Sequence, residues 1–272
     1  MPEDTVVQRG EVTIKSKPNE QAYKFPTEII ELPSKGFFYP EGNPLATGEL
    51  ELKYMTAKEE DILTSQTLIR KGVVLDKLLE AVIMDKNVDV DDLLLGDKNA
   101  IYIATRIMAY GPEYNVNVTC PACGQKQAEK IDLSKLSTKE VDFESLTRNQ
   151  NRFSFILPNG ITLEWKILSE RDDKAIEEEL EARKKFDKGD VTAEITTRFR
   201  HIIVSVDGDE TVNRRKKFVE NELLSRDIRL LRTEMDRYIP DVELSYNFVC
   251  SACGVKEEMR VPIGAEFFWP SI

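Results

Sequence analysis

The 272-residue chain has one histidine, four cysteines, an unfavourable ratio of basic to acidic residues, and no apolar run near the roughly 18 residues that a membrane-crossing helix needs. Each scarcity removes a class of function. With His201 alone, a histidine-based triad, a multi-histidine metal site and a histidine general base all rest on a single residue. That residue sits in ITTRFRHIIVSVDG beside Ile195, Phe199, Ile202 and Val206, which fall at helical spacing, so it reads as a structural histidine and is given no role. The 38 Lys and Arg against 49 Asp and Glu leave a formal net charge of −11, which opposes a sequence-blind hold on DNA or anionic lipid. No membrane partner is expected. The opening MPEDTVVQRGEVTIK lacks the apolar centre of a secretion signal, so the chain is expected to act in a cytoplasm. No Gly-x-Gly-x-x-Gly follows a strand pattern, and no phosphate-binding Gly-x-x-x-x-Gly-Lys-Ser/Thr loop, His-Glu-x-x-His or Gly-x-Ser-x-Gly occurs. No catalytic residue is assigned, and a non-enzymatic protein is expected. What remains is ample for folding: 41% of residues are hydrophobic and 32% charged.

The cysteines are few but ordered. Cys120-Pro121-Ala122-Cys123-Gly124 and Cys250-Ser251-Ala252-Cys253-Gly254 share the pattern Cys-x-Ala-Cys-Gly. Such a pair in a chain without a secretion signal favours a metal over disulfides, and four thiolates suit one tetrahedral Zn2+ per chain. Glycine after the second cysteine permits positive φ, which turns backbone amides towards sulfur while the chain reverses. Strand-like stretches flank both, from Tyr114 to Thr119 and from Leu244 to Val249, and Tyr114-Asn115 and Tyr246-Asn247 repeat in the approaches. The 126 residues between Cys123 and Cys250 exceed the spacing of an ordinary zinc ribbon, so the two knuckles must meet in space. Free thiols and a redox pair are the alternatives, the latter disfavoured because a polar strand-like stretch, not a helix, follows each knuckle. Four protein ligands close the coordination sphere, so the zinc would be structural.

The scaffold reads as α+β: a helical N-terminal part, a zinc-ribbon-like pair of knuckles, and a hairpin-and-helices insertion between them. The expected divisions are a mobile arm over 1–24, a mainly helical domain over 25–113, a bipartite ribbon over 114–130 with 244–264, an inserted α+β region over 131–243, and an aromatic tail over 265–272. Pro33, Gly36, Pro40, Gly42 and Pro44 forbid a long helix early on. Thr56 to Glu59 has capping-box form, and Leu75, Leu78, Leu79, Val82 and Ile83 mark a buried helix face. Asp89, Asp91 and Asp92 read as turn and cap residues, since the glycine and closing glutamate of a calcium loop are missing. In the next helix Ala100, Ala104, Ile107 and Met108 mark the inner side. Phe153, Phe155 and Leu157, then Asn159-Gly160, then Ile161, Leu163, Trp165 and Ile167 spell a hairpin. A protruding, mostly solvated helix over 169–188 should follow, then helices over 191–205 and 214–239, the latter breaking near Ser225 and Asp227. Arg214 to Lys217 reads as a solvated basic face.

Several pieces, in order, resemble the baseplate hub proteins of T-even-like contractile-tailed phages. They are Leu32-Pro33-Ser34-Lys35-Gly36-Phe37-Phe38-Tyr39-Pro40, Leu52-Lys53-Tyr54-Met55-Thr56, Gly96-Asp97, Arg106 to Tyr110-Gly111, and Cys120-Pro121-Ala122-Cys123-Gly124. The likeness is firmest over residues 25–130. It implies a non-enzymatic tail protein, in the virion baseplate hub or assembling that hub in the host cytoplasm, whose partners are other tail proteins. For such a role Phe37, Phe38 and Tyr39, and Phe267, Phe268 and Trp269, are the expected partner anchors, against the alternative that both patches close onto the chain's own core. The competing function is a zinc-ribbon nucleic-acid binder, with Lys126, Lys130, Lys256 and Arg260 as phosphate contacts, although Glu129, Glu257 and Glu258 interrupt them.

Overall fold

The computed structural model describes residues 26–186, 193–263 and 265–268. The expected arm over 1–24 and the anchor Trp269 lie outside them. The described chain mixes α and β, with small sheets instead of one large one. β1 (Thr27–Glu31) pairs antiparallel with β2 (Glu49–Lys53). The proline-rich link between them is held in turns, ending in a 3-10 turn at Pro44–Thr47 capped by the Asn43 side chain. The capping box at Thr56 opens α1 (Ala57–Thr64): the Thr56 amide and hydroxyl donate to Glu59 Oε2 at 2.8 and 2.7 Å, and Lys53 Nζ donates to Glu59 Oε1 at 2.6 Å. Burial alone would raise the Glu59 carboxyl, but the Lys53 ammonium and the Thr56 donors outweigh it and hold the carboxyl below its ordinary value.

α2 (Gln66–Arg70) leads to α3 (Val74–Val82), where Leu78, Leu79 and Val82 are buried together with Ile83, and Leu75 is half-buried. In α4 (Leu95–Tyr110) the expected inner residues Ala100, Ala104, Ile107 and Met108 are half-buried and pack against the core, and the more deeply buried face beside them carries Asp97, Ile101, Tyr102, Thr105 and Arg106. An apolar pattern counts Asp97 and Arg106 as outside; here both are buried because their polar atoms are hydrogen-bonded. Asp97 accepts from the Ser34 amide at 2.9 Å, Ser34 Oγ at 2.6 Å and the Tyr39 hydroxyl at 2.6 Å. Arg106 Nε donates to the Phe267 carbonyl at 2.9 Å, and its other nitrogens reach the Gly111 and Glu113 carbonyls.

These two residues also hold four of the six expected anchors in the interior. Phe38 and Tyr39 are buried and Phe37 is half-buried, its ring 4.9 Å from that of Phe143. Phe267 and Phe268 are fully buried, edge-on to Tyr114 and Tyr102 at 5.1 and 5.8 Å. Each aromatic contributes about 2–3 kcal/mol by leaving water, and Asp97 and Arg106 satisfy the backbone and hydroxyl groups carried in with them. Phe38, Tyr39, Phe267 and Phe268 therefore close onto the chain's own core, while Phe37 keeps part of its surface exposed.

β3 (Glu113–Thr119) and β4 (Lys126–Asp132) form the hairpin of the first knuckle. The expected hairpin around Asn159-Gly160 is present as β5 (Phe153–Ile156) and β6 (Thr162–Trp165), with Trp165 fully buried and stacked 4.3 Å from Phe153. α5 (Glu170–Phe186) is docked, not protruding. Ile176 is fully buried, Arg171 pairs with Asp89 and Asp92 at 2.9 Å, and Lys174 pairs with Asp76 and Asp91 at 2.7 and 2.6 Å. Ion pairs thus widen a stripe whose apolar residues alone are too few, and the aspartate turn supplies their anions. Glu179 receives Arg200 and lies 3.3 Å from His201 Nε2.

The helix expected over 191–205 stops early. α6 (Glu194–Ile202) gives way to β7 (Ile203–Val206), which joins β6 as the third strand, so Val206 is a strand residue opposite Leu163. Ile203-Val204-Ser205-Val206 suits a pleated, buried position better than a helix turn, and Asp207-Gly208 ends it at positive φ. α7 (Val212–Asn221) and α8 (Ser225–Tyr238) break where expected. In α7 the basic cluster is partly engaged: Arg214 pairs with Glu222, and Arg215 donates to the Arg200 and Ile203 carbonyls. β8 (Ser245–Val249) and β9 (Lys256–Arg260) carry the second knuckle, before the 3-10 turn Ala265–Phe268. One buried apolar cluster runs from Leu32 through Trp165 to Phe268, and a satellite of Val118, Cys120, Phe248 and Cys250 lies beside it.

Two tests follow from this packing. A Cβ on Gly96 would lie 2.0 Å from the Pro240 carbonyl oxygen, so Gly96→Ala should lower stability by about 3 kcal/mol in urea denaturation. Because the Glu59 carboxyl is held below its ordinary value of 4.5, its contribution is complete above that pH and is lost as pH falls through the folded value. Glu59→Gln should therefore cost about 1–2 kcal/mol at pH 7, and the gap to the parent chain should close on acidification.

Candidate metal centre

The two knuckles are built alike. Thr119 opposite Lys126 is the last pair of one hairpin and Val249 opposite Lys256 the last of the other, so each reversal spans six residues that begin with a cysteine. The Cys120 amide donates to the Gln125 carbonyl at 2.8 Å and the Gly124 amide to the Cys120 carbonyl at 2.9 Å. The Cys250 amide donates to the Val255 carbonyl at 2.9 Å and the Gly254 amide to the Cys250 carbonyl at 3.0 Å. Gly124 and Gly254 both have φ of 72°, the left-handed conformation that the sequence pattern requires of the residue after Cys-x-Ala-Cys.

Strand parity sets what each knuckle packs against. Tyr114, Val116, Val118 and Cys120 share one face of β3 and its extension, and Leu244, Tyr246, Phe248 and Cys250 share one face of β8 and its flanks. The repeated tyrosine stands six residues before the first cysteine and four before the second. That difference of two keeps it on the same face. The inward faces meet in the satellite cluster, with Val255 and Met259 packed around it.

This brings four sulfurs together from positions far apart in the chain. All four Sγ atoms lie within 4.8 Å of one another, with Cys120 and Cys253 at 3.8 Å and Cys123 and Cys250 at 3.6 Å. A disulfide would need about 2.05 Å. Tetrahedral bonds of about 2.3 Å to one ion place sulfurs about 3.8 Å apart, which the geometry approaches. Cys120 and Cys250 are buried, whereas Cys123 and Cys253 are exposed. The Cys253 and Ala252 amides draw Cys250 down to about 6, while the Gln125 amide on Cys123 is overridden by the neighbouring sulfurs, which push that thiol up to about 12. Thiolates packed this closely repel, and a soft divalent cation is the group that removes the repulsion. The donor set therefore fits a closed, structural metal site.

Gln127 is a part of the site that sequence reading missed. Its Oε1 accepts from the Ser251 amide and hydroxyl at 2.9 and 3.0 Å, and its Nε2 donates to the Val249 carbonyl at 3.0 Å and to Glu129. One β4 side chain thus satisfies the backbone of the opposite knuckle. The matching position after the second cysteine pair is Glu257, which has no such reach, so no repeat in the sequence marks it. Lys126, Lys130, Lys256 and Arg260 are exposed on β4 and β9, with Lys130 Nζ 2.6 Å from Glu113. Gln127→Ala should cost about 1–2 kcal/mol in denaturant unfolding and speed alkylation of Cys253 relative to the parent chain.

The chain matches the sequence model described as T4 bacteriophage base plate protein over residues 26–269. No curated protein and no solved structure matches it. The matched span holds both knuckles, the α4 spine and the whole region between the cysteine pairs, for which sequence motifs alone had no counterpart. On that extent of agreement, the chain belongs to the T4 bacteriophage base plate protein family.

Proposed function

We propose that this chain is a non-enzymatic component of the baseplate hub, as a permanent subunit or as a factor that assembles the hub, and that Cys120, Cys123, Cys250 and Cys253 hold one structural Zn2+. Family membership supports a structural role in the tail baseplate, in contact with other baseplate proteins. The zinc assignment rests on the convergence of four sulfurs from two hairpins at tetrahedral spacing. Assembly takes place in the host cytoplasm, before the particle leaves the cell.

The ion has a mechanical purpose in this reading. Each knuckle hairpin is two strands, too small to be stable alone, and the satellite core contains few large apolar side chains. A metal that ties residues so far apart in sequence closes a long loop, and its binding free energy becomes folding free energy. The region between the cysteine pairs is then held at both ends, as a rigid unit that can be docked into an assembly. Sequestered thiolates also escape oxidation, which suits a protein that must persist in a released particle.

The test is elemental analysis of purified protein with thermal melting before and after chelation. The expected result is about one zinc per chain, a fall in Tm on removal, and loss of the ion in Cys120→Ser and Cys250→Ser. Absence of zinc, with all four thiols open to alkylation in the folded protein, would overturn the assignment. For the baseplate role, purified tails should contain the chain if it is a permanent subunit, whereas an assembly factor should bind hub proteins and be missing from finished tails.

A further inference from the structure

The small sheet of β1 and β2 has two edges, and the described chain covers one of them. Along β2 the Met84 amide donates to the Glu51 carbonyl at 3.0 Å and Leu52 bridges to Ile83, so the segment after α3 lies on that edge. Along β1 no described residue does the same. Register identifies the groups left over. The Leu32 amide donates to the Gly48 carbonyl and the Tyr54 amide to the Pro26 carbonyl, so even-numbered positions of β1 turn their backbone groups to β2. The amides and carbonyls of Thr27, Ile29 and Glu31 therefore point away from it, and they have no backbone partner among the described residues. The usual obstacles to strand addition are missing: the five pairs run without a register shift, no proline lies between Thr27 and Glu31, and Ile29 is 68% exposed. A groove of about 720 Å3 begins where β1 ends, between Glu31, Leu32, Pro33 and Lys35 on one side and Val141 and Phe143 on the other. No residue of β2 lines it, so it continues the open edge.

An extended polypeptide is the ligand that both features fit. Its backbone can pair with the alternating donors and acceptors of β1, and the residues that run on past Glu31 enter the groove. Charge decides whose polypeptide it is. Ile29 shares its face of the sheet with Glu31, Glu49 and Glu51, all exposed and without a cationic partner among the described residues. A second copy of this chain would bring the same glutamates and a net charge of −11 to the edge, and like charges oppose that pairing. We propose that an extended basic segment of a partner protein adds to β1 as a third, antiparallel strand, with an apolar residue opposite Ile29 and Lys or Arg opposite Glu28 and Glu31. The inference rests on the reading of the chain as one that works through protein contacts and gives one of those contacts its chemistry.

The experiment is calorimetric titration of the full chain at low salt with the capped peptide Leu-Ala-Lys-Val-Ile-Lys-Thr. Antiparallel addition sets the peptide's isoleucine opposite Ile29, so its amide donates to β1, whereas the amide of the preceding valine faces away. Methylating the isoleucine nitrogen should weaken binding about tenfold or more, and methylating the valine nitrogen less than about threefold. Removing the leading leucine, which reaches the groove, should cost about threefold, and glutamate in place of both lysines should abolish binding. Ile29→Lys should weaken binding about tenfold or more without lowering Tm, because the Ile29 side chain is exposed. The Ile29 amide should exchange its hydrogen quickly in the free chain and slowly with peptide bound. No saturable binding, equal effects of the two methylations, or full affinity in Ile29→Lys would overturn the proposal. So would slow exchange of the Ile29 amide in the free chain, since the edge would then be filled by the chain itself or, if a dimer sediments, by a second copy. Tail incorporation is read separately: failure of the peptide tests in a chain found in tails removes this inference and leaves the baseplate role intact, while peptide binding by a chain absent from tails and from hub complexes defeats that role alone.

Discussion

The α4 helix carries two buried polar residues about two and a half turns apart, and most of the fold depends on where they are pinned. Asp97, near the N-terminal end, holds the Ser34–Tyr39 loop by three hydrogen bonds, and Arg106, near the other end, holds the Phe267 carbonyl and the turn into β3. Without these bonds, a carboxylate and a guanidinium would be buried at a cost of several kcal/mol each. With them, the first and last aromatic segments are fixed against the same helix. Gly96, beside Asp97, lets the Pro240 carbonyl approach the helix backbone, so the segment that enters the second knuckle is seated on the same spine. The two knuckles meet because both hairpins start from anchored positions: β3 follows α4 directly, and β8 follows Pro240 by a few residues.

That arrangement makes the cysteine cluster the far end of a structure already converging. The Tyr114 hydroxyl donates to the Pro262 carbonyl, Lys139 and Glu243 exchange backbone bonds with Asp241 and Ser137, and Gln127 completes the bridge at the tip. These contacts run from the base of the hairpins to their reversals. A cation at the tip would meet sulfurs already brought near one another by the fold beneath them, and would share the cost of closing the long loop with those contacts.

How much of this was legible in the sequence follows from how local each cause is. The capping box at Thr56, the Asn159-Gly160 hairpin, the break before Ser225 and both knuckle turns are set by a few adjacent residues, and each was readable. The face of α4 was legible only in part: Ala100, Ala104, Ile107 and Met108 do pack against the core, but the deeper face includes Asp97 and Arg106, whose partners are 63 and 161 residues away. The same holds for α5: its narrow apolar stripe looked solvated until Asp76, Asp89, Asp91 and Asp92 supplied pairs for Arg171 and Lys174. For β7, local helical spacing through Val206 competed with pairing to β6, and the sheet prevailed because it buries Ile203 and Val206 completely. Gln127 left no trace at all, since its purpose exists only once the second knuckle is beside it.

Burying the aromatic ends changes how such a chain can recognise others. Phe38, Tyr39, Phe267 and Phe268 are spent on the interior, and the exposed large apolar residues, such as Ile29, Ile156, Ile195, Val212 and Leu230, fall on separate elements and do not line one helix or strand. Scattered residues of this kind do not make the buried aromatic centre on which a dry, area-driven interface relies. Among the described residues the surface left for recognition is mainly charged, with acidic groups in excess. Contacts made through it gain specificity and association rate from complementary charge more than from apolar area, and they weaken with salt. An assembly built from such contacts can be reversible while subunits are being added one at a time. In such an assembly each further contact would be made at a higher effective concentration, so stability would grow with the number of neighbours already in place.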